Sequence, residues 1–369
     1  MLLYWGRRGA LSRFTLELAR VATSVAEVQT SVSVSRQNEA FASFAPVGDA
    51  LFPVDTFRSA AGALLGARRL LTVRRALAAR LAHDRTDAVI ALMPHVWTQL
   101  VLDVVRNAGA RYVTVVHDAV PHPGERGRAL HRWLLREAEA ADHVVTLSHA
   151  VAAQLARTSR VPADRIATSF LPDITYSQAE PFARPDGDDF RLLFFGRVLP
   201  YKGLERLVTA VEQLRASGRR ISLGVYGEGH LEGLDARLRG VRATVVNRWI
   251  GEGEVADIFA QHDAVVLPHT EASQSGVAAA AFGAGVPVVA LPVGGLIEQV
   301  RHGETGLLAA RADVPALVET LATLADSPAL QRRLRTGIAH TRSQRSMARF
   351  FDDLLAVAVP DCTRQRLTA

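Results

Sequence analysis

Of the 43 basic side chains in this 369-residue chain, 42 are arginine and one is lysine, Lys202. The lysine falls in Gly196-Arg197-Val198-Leu199-Pro200-Tyr201-Lys202-Gly203, between the apolar run Arg191 to Phe195 and a helical pattern that begins at Leu204. A glycine-flanked turn that opens a helix presents backbone N–H groups and the positive end of a helix dipole to an anion. Arg197 and Lys202 add two full charges at that place. Arginine forks two phosphate oxygens, whereas lysine delivers a point charge on a flexible stem. At roughly 1.5 to 3 kcal/mol per charged hydrogen bond, the pair can hold a diphosphate. The arginine excess itself is a matter of coding bias, which makes the lone lysine the informative residue.

Two further clusters carry chemistry. Gly227 and Gly229 in Tyr226-Gly227-Glu228-Gly229-His230 follow a strand-like run and would let a nucleotide approach the backbone. A dinucleotide fingerprint needs G-x-G-x-x-G, and Gly233 falls one position late, so a dehydrogenase is disfavoured. The stretch Leu267 to Val277, LPHTEASQSGV, ends a strand, runs through a polar loop and starts an Ala-rich helix. Glu271 is the acidic side chain of that loop. The N–H groups around Ser275, Gly276 and Val277 would open a second helix N-terminus. The plainer reading of Glu271 is a solvated loop residue, and it stays open on these residues alone.

These groups need a scaffold, and the chain alternates in the way that builds one. Strand-like runs at Ala88 to Leu92, Tyr112 to Val116, His143 to Thr146, Arg191 to Phe195, Ile221 to Tyr226, Thr244 to Asn247, Ala264 to Leu267 and Val286 to Leu291 are separated by amphipathic stretches. The helical stretches include Leu11 to Ala22, Val96 to Ala108, Arg128 to Ala140, Leu204 to Ser217 and Pro315 to Ala325. Short β-branched runs alternating with helices imply parallel sheets covered on both faces. Composition shifts at Gln178 to Asp189, QAEPFARPDGDD, which reads as a linker. The expectation is an α/β chain of two doubly wound domains, 1–180 and 181–369, facing a central cleft, with the C-terminal helix packing back on the first domain. Ligands of such sheets sit beyond the carboxyl ends of the strands.

Other classes fall away on composition. The single cysteine, Cys362, excludes an internal disulfide and a cysteine-cluster zinc site. The start MLLYWGRRGALSR lacks a long apolar core behind a basic head, so no signal peptide is expected and a reducing, cytoplasmic setting is. Ala272 to Ile297 is uncharged for 26 residues, but its glycines, Pro287 and Pro292 break it into helix, strand and turn rather than a membrane span. Residues 1–185 carry 22 basic and 16 acidic side chains, and residues 186–369 carry 21 of each. Much of the surplus lies in Arg58, Arg68, Arg69, Arg74, Arg75, Arg80 and Arg85, among apolar residues at helical spacing. That segment, Arg58 to Arg85, is either a peripheral contact with anionic membrane, at the inner face, or an ordinary solvated helix face. No aromatic-studded basic groove accompanies it, so nucleic acid is not an expected partner.

The order FFGRVLPYKG, YGEG and ADIFAQHDAVVLPHTEASQSGVAAAAFGAGVPVVALPVGGLIEQVRHGETGLLA resembles the donor-binding half of the retaining glycosyltransferases of family 4, which have the GT-B fold. The glycine turn Gly6 to Gly9, Val116-His117-Asp118 and ADHVVTLSHAVAAQL extend the likeness loosely over the first half. The resemblance implies transfer of a sugar from a nucleotide-diphosphate sugar to a glycan or lipid-linked glycan acceptor in glycoconjugate biosynthesis. It assigns Arg197 and Lys202 to the donor diphosphate and Glu271 to the transferred sugar. Ser275, Gly276 and Val277 become the loop that grips sugar hydroxyls and phosphate, His117 the histidine near sugar and acceptor, and Gly9 the turn facing the diphosphate. Arg248-Trp249-Ile250 occupies the place of nucleobase recognition, with a core tryptophan as the competing reading. The second glutamate of the family's E-x7-E element, due seven residues before Pro287, is Ala280, and the loop carries Q-S-G-V. With two cations facing the leaving group, no metal or other cofactor is expected, and Asp186-Gly187-Asp188 reads as solvated charge. Two alternatives follow from Ala280 and the fold: a catalytically silent nucleotide-sugar or glycan binder, and another GT-B enzyme such as a nucleotide-sugar epimerase.

Overall fold

The structure, a computed structural model, describes residues 1–57, 62, 66–121, 128–176, 189–231 and 233–360. Residues 178–188 of the expected linker, the Asp186/Asp188 pair and Arg58 lie outside the described residues. Contacts divide the chain into two compact units, Met1–Pro121 with Arg126–Phe170 and Ser346–Ala369, and His122–Glu125 with Leu171–Arg345, each in its described part.

The first unit holds seven parallel strands: β1 (Leu2–Tyr4), β2 (Val32–Ser35), β3 (Leu51–Val54), β4 (Ala88–Ala91), β5 (Arg111–Val116), β6 (His143–Thr146) and β7 (Ile166–Thr168). Their order is β3-β2-β1-β4-β5-β6-β7, so the direction of winding reverses between β1 and β4. Strands β1, β2, β3 and β7, like Gly306–Leu308 in the second unit, do not stand among the strand-like runs of the sequence. Each is only three or four residues long and shows no period of its own. Val96 to Ala108, expected as one helix, is a 3-10 turn (Gln99–Val101) followed by a short helix (Leu102–Asn107).

Two helices of this unit pack on each other through aromatic rings. Helix Ala10–Ser24 and the C-terminal helix Met347–Ala358 meet at Phe14 and Phe350, whose centroids are 5.5 Å apart. Phe350 also meets Phe170 edge-on at 6.0 Å, and Asp353 accepts from Ser169 Oγ at 2.7 Å. The last helix is therefore part of the first unit's core.

The second unit holds six parallel strands: β8 (Phe190–Phe195), β9 (Ile221–Tyr226), β10 (Thr244–Val246), β11 (Ala264–Leu267), β12 (Val288–Ala290) and β13 (Gly306–Leu308). The order β10-β9-β8-β11-β12-β13 puts the reversal between β8 and β11. Helix Leu204–Ala216 turns Leu204, Leu207, Val208, Val211 and Leu214 into the core with the apolar face of Val314–Ala325, and its exposed side is charged. Truncating one such leucine to alanine costs about 2–5 kcal/mol. The uncharged run 272–297 resolves into helix Gly276–Gly283, β12 and the short helix Leu296–Gln299. Among the described residues, no helix is long and apolar enough to cross a membrane.

Candidate active site

Both sheets are doubly wound, and in such sheets ligands sit where winding reverses, beyond the strands' carboxyl ends. In the second unit those ends are Phe195 and Leu267, and the predicted residues follow them directly. Gly196 leaves β8 at φ 98°. Lys202 Nζ lies 3.8 Å, and Val277 Cγ2 3.5 Å, from where a Cβ on Gly196 would sit. The lysine, the turn after β8 and the first turn of helix Gly276–Gly283 therefore converge on one point.

Backbone approach makes this convergence rigid. Gly203 has φ 70°, and a Cβ there would stand 2.0 Å from Pro268 O, so no other residue lets the Lys202 turn lie against the end of β11. Thr270 N then donates to Tyr201 O at 2.8 Å, which joins the residues next to Lys202 and Glu271 through the main chain. Tyr201 meets His269 edge-on at 6.1 Å, and Lys202 Nζ lies 5.9 Å from the centroid of the Tyr201 ring. Arg197 is exposed and Lys202 half-buried.

The Glu271 loop is anchored from behind. Gly295 N donates to Ala272 O at 3.0 Å. Ser275 caps helix Gly276–Gly283, its Oγ accepting from Ala278 N at 3.4 Å. Gln299 clamps Ser275 from both sides: its Oε1 accepts from Ser275 N and its Nε2 donates to Ser275 O, each at 2.9 Å. This corrects the expectation for Ser275, whose N–H is spent on Gln299 and is not offered to a ligand. Gly276 and Val277 remain as first-turn donors without intrahelical partners. Gln299 was not foreseen, although the paired glycines 294 and 295 before it signalled a tight turn.

The glycines at the end of β9 lie against the Lys202 turn. Gly227 has φ 143°, and a Cβ there would come 2.1 Å from Gly196 O. Gly229 N donates to Asn247 Oδ1 and Asn247 Nδ2 donates to Gly229 O, both at 3.0 Å, so the glycine turn is pinned to the end of β10. Trp249 is 49% exposed, which overturns its reading as a core residue, while Ile250 is buried against Val255 and Ile258. Arg248 pairs with Glu254 at 2.6 Å and holds that carboxyl well below the usual range. Ala280 is buried in the same apolar cluster as Ile250 and presents no polar group. A cavity of about 410 Å³ in this unit, lined by Arg191, Ser222, Gly224, Tyr226, Thr244 and His262, includes none of the predicted residues.

In the first unit, Gly9 stands at φ 103° as the residue before helix Ala10–Ser24. His117 follows β5, and its Nε2 bonds Leu92 O at 2.8 Å. A carbonyl only accepts, so Nε2 carries the hydrogen and Nδ1 holds the lone pair. Burial lowers the His117 pKa and keeps the ring neutral. Of the arginine segment, the described part is helix Ala67–Asp84, which buries Val73, Leu77 and Leu81. Arg74 pairs with Asp103, Arg80 with Asp84, and Arg69 donates to Thr56 O at 3.2 Å.

A domain described as Glycosyltransferase Family 4 matches residues 12–168, and one described as Glycosyl transferases group 1 matches residues 189–327. A glycogen synthase of Mycobacterium tuberculosis is 34% identical over 162 residues, 42% of this chain and 39% of that one. A 2-deoxystreptamine glucosyltransferase of Streptomyces kanamyceticus is 28% identical over 264 residues, 63% of this chain and 66% of that one. The match therefore spans well under half of the first relative and just under two thirds of the second. In fold, the chain is similar to Anabaena HepE, solved with UDP and glucose, at TM-score 0.68 and 17% identity over 96% of this chain and 99% of that one. With a match to a Family 4 glycosyltransferase domain in its first half, a match to a group 1 glycosyltransferase domain in its second and two doubly wound parallel sheets, the chain carries glycosyltransferase domains on the GT-B fold.

Proposed function

We propose that the chain transfers a sugar, with retention of anomeric configuration, from a nucleoside-diphosphate sugar to a hydroxyl of a glycan or lipid-linked glycan. The observation that carries this reading is the convergence of Lys202, the Gly196 turn and the first turn of helix Gly276–Gly283 where the second sheet reverses. Breaking the bond between sugar and diphosphate leaves negative charge on phosphate and positive charge on the anomeric carbon. Lys202, Arg197 and the Gly276 and Val277 N–H groups sit where they stabilise that leaving group more than the ground state. These protein cations do the work that a metal does elsewhere, and no metal is proposed. In this reading Gly227 and Gly229 let the donor approach the backbone, Trp249 offers an exposed ring to the nucleobase, and Glu271 serves the sugar.

In the first unit, the neutral His117 serves the acceptor, with Nδ1 as an acceptor for a hydroxyl hydrogen, and Gly9 serves as the turn facing the diphosphate. UDP is the nucleotide to test first, because HepE was solved with UDP and glucose. The test is a panel of nucleotide sugars incubated with the protein and assayed for released nucleotide. Release from one donor that rises with added hydroxylic acceptor supports the reading; silence with every donor while nucleotide binding persists favours a binder instead. Product formed without any acceptor would favour an epimerase.

A further inference from the structure

His117 is not the first histidine at this edge of the first sheet. His95 follows β4, the strand paired with β5, and it too is neutral. Its Nδ1 accepts from Trp97 N at 3.2 Å, and burial pushes its pKa down to about 4, so its single ring hydrogen sits on Nε2. The ring stacks on Phe57 at 5.0 Å and 23° and meets the edge of Trp5 at 6.0 Å, which fixes its plane. Among the described residues nothing accepts from Nε2, and the residue is only partly buried. His95 thus shows a donor where His117 shows an acceptor.

The loop that holds His95 is built around a buried acid. Glu137, fully buried in helix Arg128–Ala140, accepts from Tyr112 OH at 2.8 Å, Thr114 Oγ1 at 3.2 Å and His95 N at 3.4 Å, and is bonded to Thr98 Oγ1. Thr98 Oγ1 also reaches His95 O at 2.6 Å. A hydroxyl has one hydrogen, so it serves either Glu137 or His95 O. With the carboxyl protonated, the chain Glu137 to Thr98 to His95 O is satisfied throughout; with it ionised, Thr98 turns to the carboxylate and His95 O loses its donor. Tyr112 and Thr114 on β5 and His95 and Thr98 on the loop face the carboxyl, while His131 of its own helix bonds Ala119 O. None of these faces it with a charge between pH 5 and 8, because the phenol stays protonated and His95 stays neutral.

We propose that His95 is a specificity-determining residue of the acceptor side, donating through Nε2 to an uncharged hydroxyl-bearing ring, and that Glu137 is its positioning residue. The inference rests on the glycosyltransferase reading and names its acceptor class. Two uncharged histidines of opposite hydrogen-bond polarity suit a polyol ring, a sugar or cyclitol, and the aromatic rings behind His95 add an apolar wall. They supply no cation for a phosphorylated ring.

The test uses the full chain labelled at histidine Cε1, with UDP present, and follows the His95 resonance by NMR, assigned from His95→Asn and His117→Asn. Methyl α-glucoside and inorganic phosphate are titrated separately. The inference requires three results: a saturable His95 shift with the glucoside, none with phosphate, and no titration of the ring between pH 5 and 8. His95→Asn keeps an acceptor for Trp97 N but drops the outer donor, and should weaken glucoside binding about tenfold; His95→Gln restores a donor and should recover most of it. Glu137→Ala should weaken it similarly; parental binding should weaken as pH rises through 7 and Glu137 ionises, whereas Glu137→Gln, a permanent donor to Thr98, should bind as the parent does at pH 6 and keep that affinity above pH 7. A shift driven by phosphate, a ring that titrates near 6.5, or equal binding by the Asn and Gln variants overturns the inference. UDP affinity is measured alongside. If UDP fails to bind, the donor reading fails; if UDP binds and His95 is silent to the glucoside, this inference alone fails.

Discussion

Gln299 touches no expected ligand atom, yet its removal should weaken donor binding. Its side chain makes two neutral hydrogen bonds of 2.9 Å to the main chain of Ser275, the cap of the helix whose first turn faces Lys202. Each such bond is worth about 1 kcal/mol net, so Gln299→Ala releases up to about 2 kcal/mol of positioning energy. If half to all of it falls on the donor complex, the Kd for UDP rises by about 5- to 30-fold. Gln299→Glu separates geometry from charge: it still accepts from Ser275 N, cannot donate to Ser275 O, and puts a negative charge near the proposed diphosphate site. It should bind UDP more weakly than the alanine variant in low salt and approach it as salt screens the charge. Calorimetric titration with UDP, with thermal melts to confirm folding, gives the numbers. A folded Gln299→Ala variant that binds UDP within twofold of the parent would refute the clamp as the device that holds this helix turn.

Glu137 carries a pH signature in stability. Burial raises its carboxyl from the ordinary 4.5 to about 7, so between those values the folded chain keeps a proton that the unfolded chain has lost, and stability falls as pH rises through that window. The loss amounts to about 3 kcal/mol; urea midpoints from pH 4 to 8 should show it, and Glu137→Gln should flatten it. Arg345 forks Asp173 at 2.9 and 3.0 Å, both buried, and stacks 5.1 Å from Phe282. Arg345→Met leaves a buried carboxylate alone at about 3–5 kcal/mol, and adding Asp173→Asn should return more than half of the lost melting temperature. The arginine helix Ala67–Asp84 should not sediment with anionic vesicles at low salt, since Arg69, Arg74 and Arg80 are bonded within the unit; strong, salt-sensitive sedimentation would contradict this.

The parts of the site legible in the sequence were those whose chemistry is local. Gly196 to Gly203 declared itself through two glycines and the lone lysine, and β8, β9 and the helices beside them through apolar runs long enough to show a period. The strands β1, β2, β3, β7 and β13 show no period of their own over three or four residues and owe their extended state to neighbours that pair with them. Gln299 was illegible for a different reason: it lies 24 residues from Ser275, and only the packing of helix Leu296–Gln299 brings its amide to the cap. The same holds for Glu137, which looks on paper like one more acid in a charged amphipathic helix. Its burial follows from the turn of that helix, which sends Arg132 and Arg136 outward and Glu137 inward to three hydroxyls.

The central claim is that Lys202 stands at the diphosphate of a nucleotide-sugar donor. The most direct measurement is the UDP affinity of the parent and of Lys202→Ala by calorimetry, with nucleotide release from the preferred donor followed in parallel. Losing one charge-assisted hydrogen bond of roughly 1.5 to 3 kcal/mol predicts a Kd raised about 10- to 150-fold and transfer abolished. A folded Lys202→Ala protein with parental UDP affinity and near-normal turnover would contradict the account.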